Sequence, residues 1–315
     1  MRPRRVRASH TNRAARRGHA SSAVTAVSAT LVRRAARRTA LFAAALFLVA
    51  CTWELWKLIA PAPGALIPRT DNASMPHVWD IVDRLGKPET RASDVPIWRT
   101  VLGYSWNSGK LAFGGFVLGS VFGVVLAVLM ARWRLAERAL LPWVVMSQTV
   151  PLIALAPQVI SWSGRIDIAG WQWPRWLSVC VLAAFLAFFP VTVGTLRGLK
   201  AAPAASLELM DSYAASWTRT LFKLRFPAAI PHMIPAFKLA ATLSVVGAIV
   251  SEISIGSASG GIGRAVIQYL QTGSGDPTKI YAAVFGAALL GMTLYGVVVL
   301  ADTVVNRHRP KEATA

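Results

Sequence analysis

Fourteen acids, five histidines and two cysteines are the residues that could hold a metal, attack a carbonyl or relay a proton in this chain of 315 residues. None of them is spaced for that work. His10, His19 and His308 stand near the chain ends, and His77 and His232 are isolated. Cys51 and Cys180 lie inside apolar runs and read as small buried hydrophobes rather than a disulfide or a metal pair. Gly260, Gly261 and Gly263 cluster, but no Lys-Ser/Thr follows as a phosphate loop requires, so a tight turn is expected. The sequence therefore offers no catalytic residue, no metal site and no cofactor bound by the chain itself.

The stretch with informative spacing is the 197–233 loop. Ala205 to Tyr213 are good helix formers, with Leu207, Met210 and Ala214 on one face and Glu208 and Asp211 beside them. Small residues follow at Ala214, Ala215 and Ser216. A second amphipathic segment runs from Trp217 to Phe226, with Leu221 and Leu224 on one side and Arg219 and Lys223 on another. Pro227 is expected to stop it. Two short helices with a bend between them are thus expected, carrying an apolar stripe that must be buried against lipid, bundle or partner.

The elements that position this loop are apolar. Hydrophobic residues make up 54% of the chain and charged residues 15%, against about 25% charged in soluble domains. A bilayer core of about 30 Å needs about 20 helical residues. Six segments meet or approach that length: 39–60, 111–130, 141–160, 176–196, 234–250 and 280–301. The fifth is the shortest, and the second has an uncharged lead-in from near Val101. Pro142, Pro151 and Pro157 in the third imply an irregular helix packed within protein, where neighbours satisfy the freed carbonyls.

More than half of the net charge of +20 sits in residues 1–38, which hold eleven Arg and no acid. The 131–140 loop, the 197–233 loop and the C-terminal tail are also basic, and they alternate with three weakly charged loops. With six spans every basic segment falls on one side, which puts both termini in the cytoplasm. A basic total can mark a nucleic-acid binder, but here the charge follows the membrane pattern. Residues 1–38 share the composition of an organelle transit peptide. A disordered cytoplasmic extension touching anionic lipid is the simpler account. The sequon at 72–74 is short enough to be chance. Lys238 is expected to snorkel to the cytoplasmic face. Glu54 and Glu252 are expected at outer span ends, with Glu252 a candidate for an outer gate. Trp171, Trp173 and Trp176 fit an aromatic belt.

On these residues the chain resembles the permease subunits of bacterial ATP-binding-cassette (ABC) importers. Their cytoplasmic signature has Glu-Ala-Ala, three residues, Gly, nine residues, Ile, one residue and Leu-Pro. Here Glu208, Leu209 and Met210 take the first places, Ala214 stands at the Gly, Leu224 at the Ile and Phe226-Pro227 at the Leu-Pro. The stretch Glu208 to Ser216, ending in Ala215-Ser216, looks more like the nitrate, sulfonate and taurine branch. The proline-rich run 152–157 and Glu252 followed by Gly260-Gly261-Ile262-Gly263 are similar to that branch too. The likeness covers about residues 75–305 and leaves the Arg-rich tail outside.

The resemblance implies an all-α polytopic bundle with a permease domain over 39–305, a coupling loop at 201–233, and tails at 1–38 and 306–315. It implies a bacterial inner (plasma) membrane location and no enzymatic activity in this chain. Its partners would be a cytoplasmic ATPase that carries the ATP and Mg, an external solute-binding protein and a second copy in a homodimer. Glu208, Asp211, Ala214, Ala215, Ser216, Leu224 and Pro227 would meet the ATPase. Pro151, Pro157, Glu252, Gly260, Gly261 and Gly263 would border the path or its outer gate. The cargo would be a sulfonate, taurine, nitrate, or a vitamin or its precursor such as a pyrimidine or flavin. The competing accounts are a secondary carrier, which needs ionisable residues deep in the spans, and a membrane scaffold, which leaves the two-helix loop unexplained.

Overall fold

The structure is a computed structural model that describes residues 36–37, 40–41, 43–59, 75–89, 94–168, 170–255, 260–272 and 276–305. The Arg-rich tail apart from residues 36–37, the sequon at 72–74 and the C-terminal tail lie outside the described residues. By its contacts the chain divides into two units, 1–78 and 79–315.

In the first unit, helix α1 covers 43–59. Its Trp53 indole donates to the Pro76 carbonyl at 3.0 Å. Its Glu54 carboxylate accepts from the Val78 amide at 2.8 Å and lies 2.7 Å from His77 Nδ1. Glu54 therefore anchors the segment that follows the helix. Cys51 is exposed on α1, against the expectation of burial.

The second unit contains α2 (Val78–Leu85, from its second residue), α3 (Ile97–Arg132), α4 (Arg134–Met146), α5 (Leu152–Ser163), α6 (Arg175–Lys200), α7 (Ala204–Ser212), α8 (Trp217–Thr220), α9 (Phe226–Ile255), α10 (Ile262–Thr272) and α11 (Thr278–Val305). Four helices are long and apolar enough to cross a membrane: α3, α6, α8 running into α9, and α11. The pair α4 and α5, bent by 103°, makes a fifth if read as one span. The described stretch of α1 is too short to count with them. A two-residue hairpin departs from the all-helical pattern: Asp167–Ile168 (β1) pairs with Trp171–Gln172 (β2), turning at Gly170.

The core is α3, α6 and α9, packed through small residues. Ala183 and the backbones of Cys180 and Ala184 fill the space where Gly115 lacks a Cβ, the Ala184 carbonyl and Ala187 that at Gly119, and the Phe188 carbonyl and Val191 that at Gly123. Four-residue spacing puts these glycines on one face of α3. Where lipid is as apolar as the side chains, such close approach is what drives helices together. On α6, Gly194 and Gly198 receive Ala236 and Ala229 of α9 in the same way. The second span thus begins at Ile97, and the fifth runs from Phe226 to Ile255, both longer than the sequence expectation.

The third span differs from expectation. Helices α4 and α5 bury only Val144, Leu152, Ala156 and Ser163 in this chain, and Pro151 and Pro157 are exposed. Position, rather than surrounding protein, makes room for Pro151. It occupies the N-cap of α5, at the break, where no helical N–H is needed.

Pro227 also behaves differently: it does not end the second amphipathic segment. Residues 221–225 form a π-helical turn in which the Phe226 amide reaches back to the Leu221 carbonyl. That wider turn moves the preceding carbonyls away from the proline ring, so the chain passes from α8 into α9 without a stop.

Candidate functional site

Two groups of expected residues take shape at opposite ends of α9. The first is the α7–α8 bend. The Ala215 amide donates to the Met210 carbonyl at 3.0 Å and the Ala214 amide to the Asp211 carbonyl at 2.9 Å. This pair of bonds is a Schellman closure of α7, and it needs a left-handed residue at Ala214. Ala214 has φ +47°, the one non-glycine residue with positive φ among the described residues. The bend geometry of the glycine form is kept, at a cost of roughly 1–2 kcal/mol for an L-residue in that region. Ser216 then starts α8, its hydroxyl accepting from the Arg219 amide at 3.4 Å.

Helix α8 is fixed to the bundle. Leu221 is buried with Leu199, Ala229 and Met233, and Trp217 and Phe226 pack against them. The Arg132 guanidinium lies 5.1 Å from the Trp217 ring centre, a cation–π contact across α3 and α8. Helix α7, by contrast, buries none of its residues. Leu209 is 56% exposed, Tyr213 76% and Phe222 67%. Phe222 stacks on Phe226 at 5.7 Å. Glu208 and Asp211 are exposed and make no salt bridge among the described residues. Leu224 is half-buried and Pro227 exposed. Between α6 and α4, Lys200 pairs with Glu137.

The second group surrounds Glu252. This residue was expected at the membrane interface and is instead fully buried, at 0% exposure. Both carboxylate oxygens lie 2.8 Å from the Ser108 hydroxyl of α3, and one accepts from the Gly263 amide at 3.0 Å. Ser108 in turn accepts from the Ile262 amide at 2.9 Å. Asn107 Nδ2 donates to the Gly260 carbonyl at 3.0 Å, and Gly260 has φ +68°. A Cβ on Gly261 would sit 2.3 Å from the Glu252 carboxylate, and one on Gly263 2.3 Å from the Ile249 carbonyl. The glycines therefore let the start of α10 close onto a carboxylate, as the N-terminal end of a helix favours. Pro151 and Pro157 are not placed in this group.

Sequence reasoning missed Ser108 and the pairing of Lys238. Tyr104 and Ser108, four apart in the uncharged lead-in to the second span, were the available sign of a polar stripe. Lys238 does not simply snorkel: its Nζ lies 2.7 Å from Asp302 Oδ2 on α11. The lysine within the fifth span is thus paired with a carboxylate in the last turn of α11.

Helix α10 and the residues after it are tied down elsewhere too. Its Tyr269 hydroxyl donates to Glu89 at 2.8 Å. Burial and the Glu89 carboxylate push that phenol well above its ordinary range. Arg84 of α2 lies 2.5 Å from Asp276, just before α11. Burial would raise the Asp276 carboxyl, but bonds from Thr278 and Arg84 and the charge of Arg84 and Lys279 hold it below the usual carboxylate value.

Residues 119–311 match the family described as binding-protein-dependent transport system inner membrane component. The chain is 30% identical over 248 residues to the formylaminopyrimidine transport permease protein ThiX of Halalkalibacterium halodurans, covering 75% of this chain and 92% of ThiX. It is 28% identical over 184 residues to the riboflavin transport system permease protein RibX of Chloroflexus aurantiacus, covering 58% of this chain and 64% of RibX. Against the nitrate import permease protein NrtB of Leptolyngbya laminosa it is 23% identical over 184 residues, 58% of this chain and 61% of NrtB. The match takes in α4 to α11 whole, including the α7–α8 bend and Glu252 with Gly260 to Gly263, while Ser108 and Asn107 lie before it. The chain belongs to the family of binding-protein-dependent transport system inner membrane components, the multi-pass permeases of ABC transporters.

Proposed function

We propose that this permease spans the membrane six times with both termini in the cytoplasm, and that it is driven by a separate cytoplasmic ATPase gripping α7 and α8. The observation that carries this is the contrast between the two helices. Helix α8 is locked into the bundle, while α7 buries nothing and bares Leu209 and Tyr213 beside Glu208 and Asp211. An apolar helix face in water needs a partner to cover it. The left-handed bend at Ala214 fixes the direction in which α7 projects. A push on α7 is therefore passed through α8 and the π-turn into α9.

In this proposal ATP and Mg bind the partner alone, an external solute-binding protein delivers the cargo, and two copies of the chain line the path. The cargo is a small polar or anionic nutrient of the sulfonate, taurine, nitrate or vitamin class. Similarity to ThiX across nearly its whole length supports a pyrimidine-type vitamin precursor first, and RibX a flavin second.

The test is co-reconstitution with a candidate ABC ATPase and a candidate solute-binding protein. ATP hydrolysis and uptake of labelled pyrimidine are then measured for the wild type, Glu208→Ala and Leu209→Ala. Loss of ATPase binding or of uptake in the variants supports the coupling role. A wild-type chain that binds no ATPase overturns it.

A further inference from the structure

Glu252 presents a problem that the coupling loop does not solve. A carboxylate at 0% exposure has lost its water, and its replacement here is a set of hydrogen bonds from two other elements. Ser108 supplies one from α3, and Gly263 another from the first turn of α10. The same serine receives the Ile262 amide. Each bond depends on the others. If α10 moves away, the carboxylate loses its backbone donor and Ser108 loses its own. Removing one partner from a buried polar network leaves the rest unsatisfied, so such a network makes or breaks as a unit.

Its place in the fold gives that all-or-none character a use. Helix α9 runs without interruption from the π-turn beside α8 to Glu252. From Pro227 to Glu252 the rise is roughly 38 Å, more than a bilayer core of about 30 Å. One continuous helix therefore joins the α7–α8 bend to the Glu252 network at the other end. Helix α10 lies at that end, packed through Ala265 and Tyr269 against Ala283. Gly261 and Gly263 are the positions where α10 touches the carboxylate and the Ile249 carbonyl too closely for any side chain.

We infer that Glu252 and Ser108 are positioning residues for transport: they latch α10 across the end of α9 remote from α7 and α8, and a shift of α9 releases the latch. The latch keeps the resting transporter closed at that end and makes its ATPase wait for the binding protein. This rests on the ATPase-coupling proposal above.

The experiment uses the complete transporter in proteoliposomes, with ATP hydrolysis measured with and without binding protein and uptake measured in parallel. Ser108→Ala and Glu252→Ala are expected to raise hydrolysis in the absence of binding protein by roughly 5-fold or more, with less uptake per ATP. Glu252→Gln, which keeps the shape and one acceptor oxygen, is expected to fall between. Ser251→Ala is the control: among the described residues that buried hydroxyl bonds to the Gly247 carbonyl of its own helix alone, at 2.6 Å, and its loss should leave the coupling unchanged. Variants whose hydrolysis depends on the binding protein as strictly as the wild type overturn the latch. So does a control that uncouples as they do. A wild-type complex with no binding-protein-stimulated hydrolysis overturns the coupling proposal instead. Should Glu252→Ala fail to assemble, Ser108→Ala decides by the same criteria.

Discussion

Lys238 Nζ and Asp302 Oδ2 stand 2.7 Å apart, joining α9 to α11 at positions where each side chain is about one-quarter to one-fifth exposed. Neither residue belongs to the α7–α8 bend or to the Glu252 network. The pair lets two charges sit in apolar helices because each neutralises the other, and the loss of one strands its partner.

The pair predicts a specific pattern of stability. Lys238→Ala and Asp302→Ala should each lower the thermal stability of the purified protein by about 1.5–3 kcal/mol, as for a hydrogen bond to a charged group. The double variant should cost clearly less than the two losses added. Additive losses in a detergent melt would mean that the pair contributes nothing as a pair.

Ala214 carries a prediction of opposite sign. Its φ of +47° and the two Schellman bonds on either side place an L-residue where glycine is relaxed. Ala214→Gly should stabilise the folded protein by about 1 kcal/mol and leave uptake intact. A destabilised variant would show that the local strain is offset by contacts of the Ala214 methyl.

The difference between Ala214 and Ser108 explains what could be read from the sequence. The bend was legible because two helix-forming stretches flank a short run of small residues, and an interrupted helical period needs no knowledge of the rest of the chain. Four of the six expected spans were legible for the same reason: apolar length is a local property. Ser108, Asp302 and the burial of Glu252 were not legible. Each depends on a partner about 60 to 150 residues away, and a lone serine or carboxylate reads the same whether or not that partner arrives. The prolines of the third span were read in part. The irregularity they imply is the 103° break between α4 and α5, but their surroundings, which leave Pro151 and Pro157 exposed in this chain, are not visible in sequence.

The glycines of α3 and α11 differ in environment in a way that mutation can check. At Gly119 a Cβ would stand 2.7 Å from the Ala184 carbonyl and 2.9 Å from Ala187, so backbone must move to admit it. Gly119→Val should cost at least about 1–3 kcal/mol, the range for overpacking, and lower the yield of folded protein. At Gly291 on α11 nothing lies within 4 Å of the same position. Gly291→Ala should be neutral or stabilising by up to about 1 kcal/mol. Equal effects at the two sites would contradict the close packing of α3 on α6.

Arg84 and Asp276 supply a pH test on the α10 side of the bundle. In the unfolded chain Asp276 titrates near 3.8, and in the folded protein its carboxyl holds its charge to lower pH, because the Thr278 and Arg84 contacts outweigh burial. Well above 3.8 both states are ionised and the stabilisation is complete. As pH falls from there through the folded value, the unfolded chain takes up a proton before the folded one does, and stability declines. Asp276→Asn removes this titration. The stability gap between wild type and Asp276→Asn, measured by thermal melts in detergent, should stay constant from neutral pH down to about 5, roughly one unit above the ordinary carboxylate value. It should shrink below that and close once the folded carboxyl is protonated. A gap that widens with acid would require the folded carboxyl to titrate above its ordinary value, and would reverse the assignment of Arg84 as its stabilising partner.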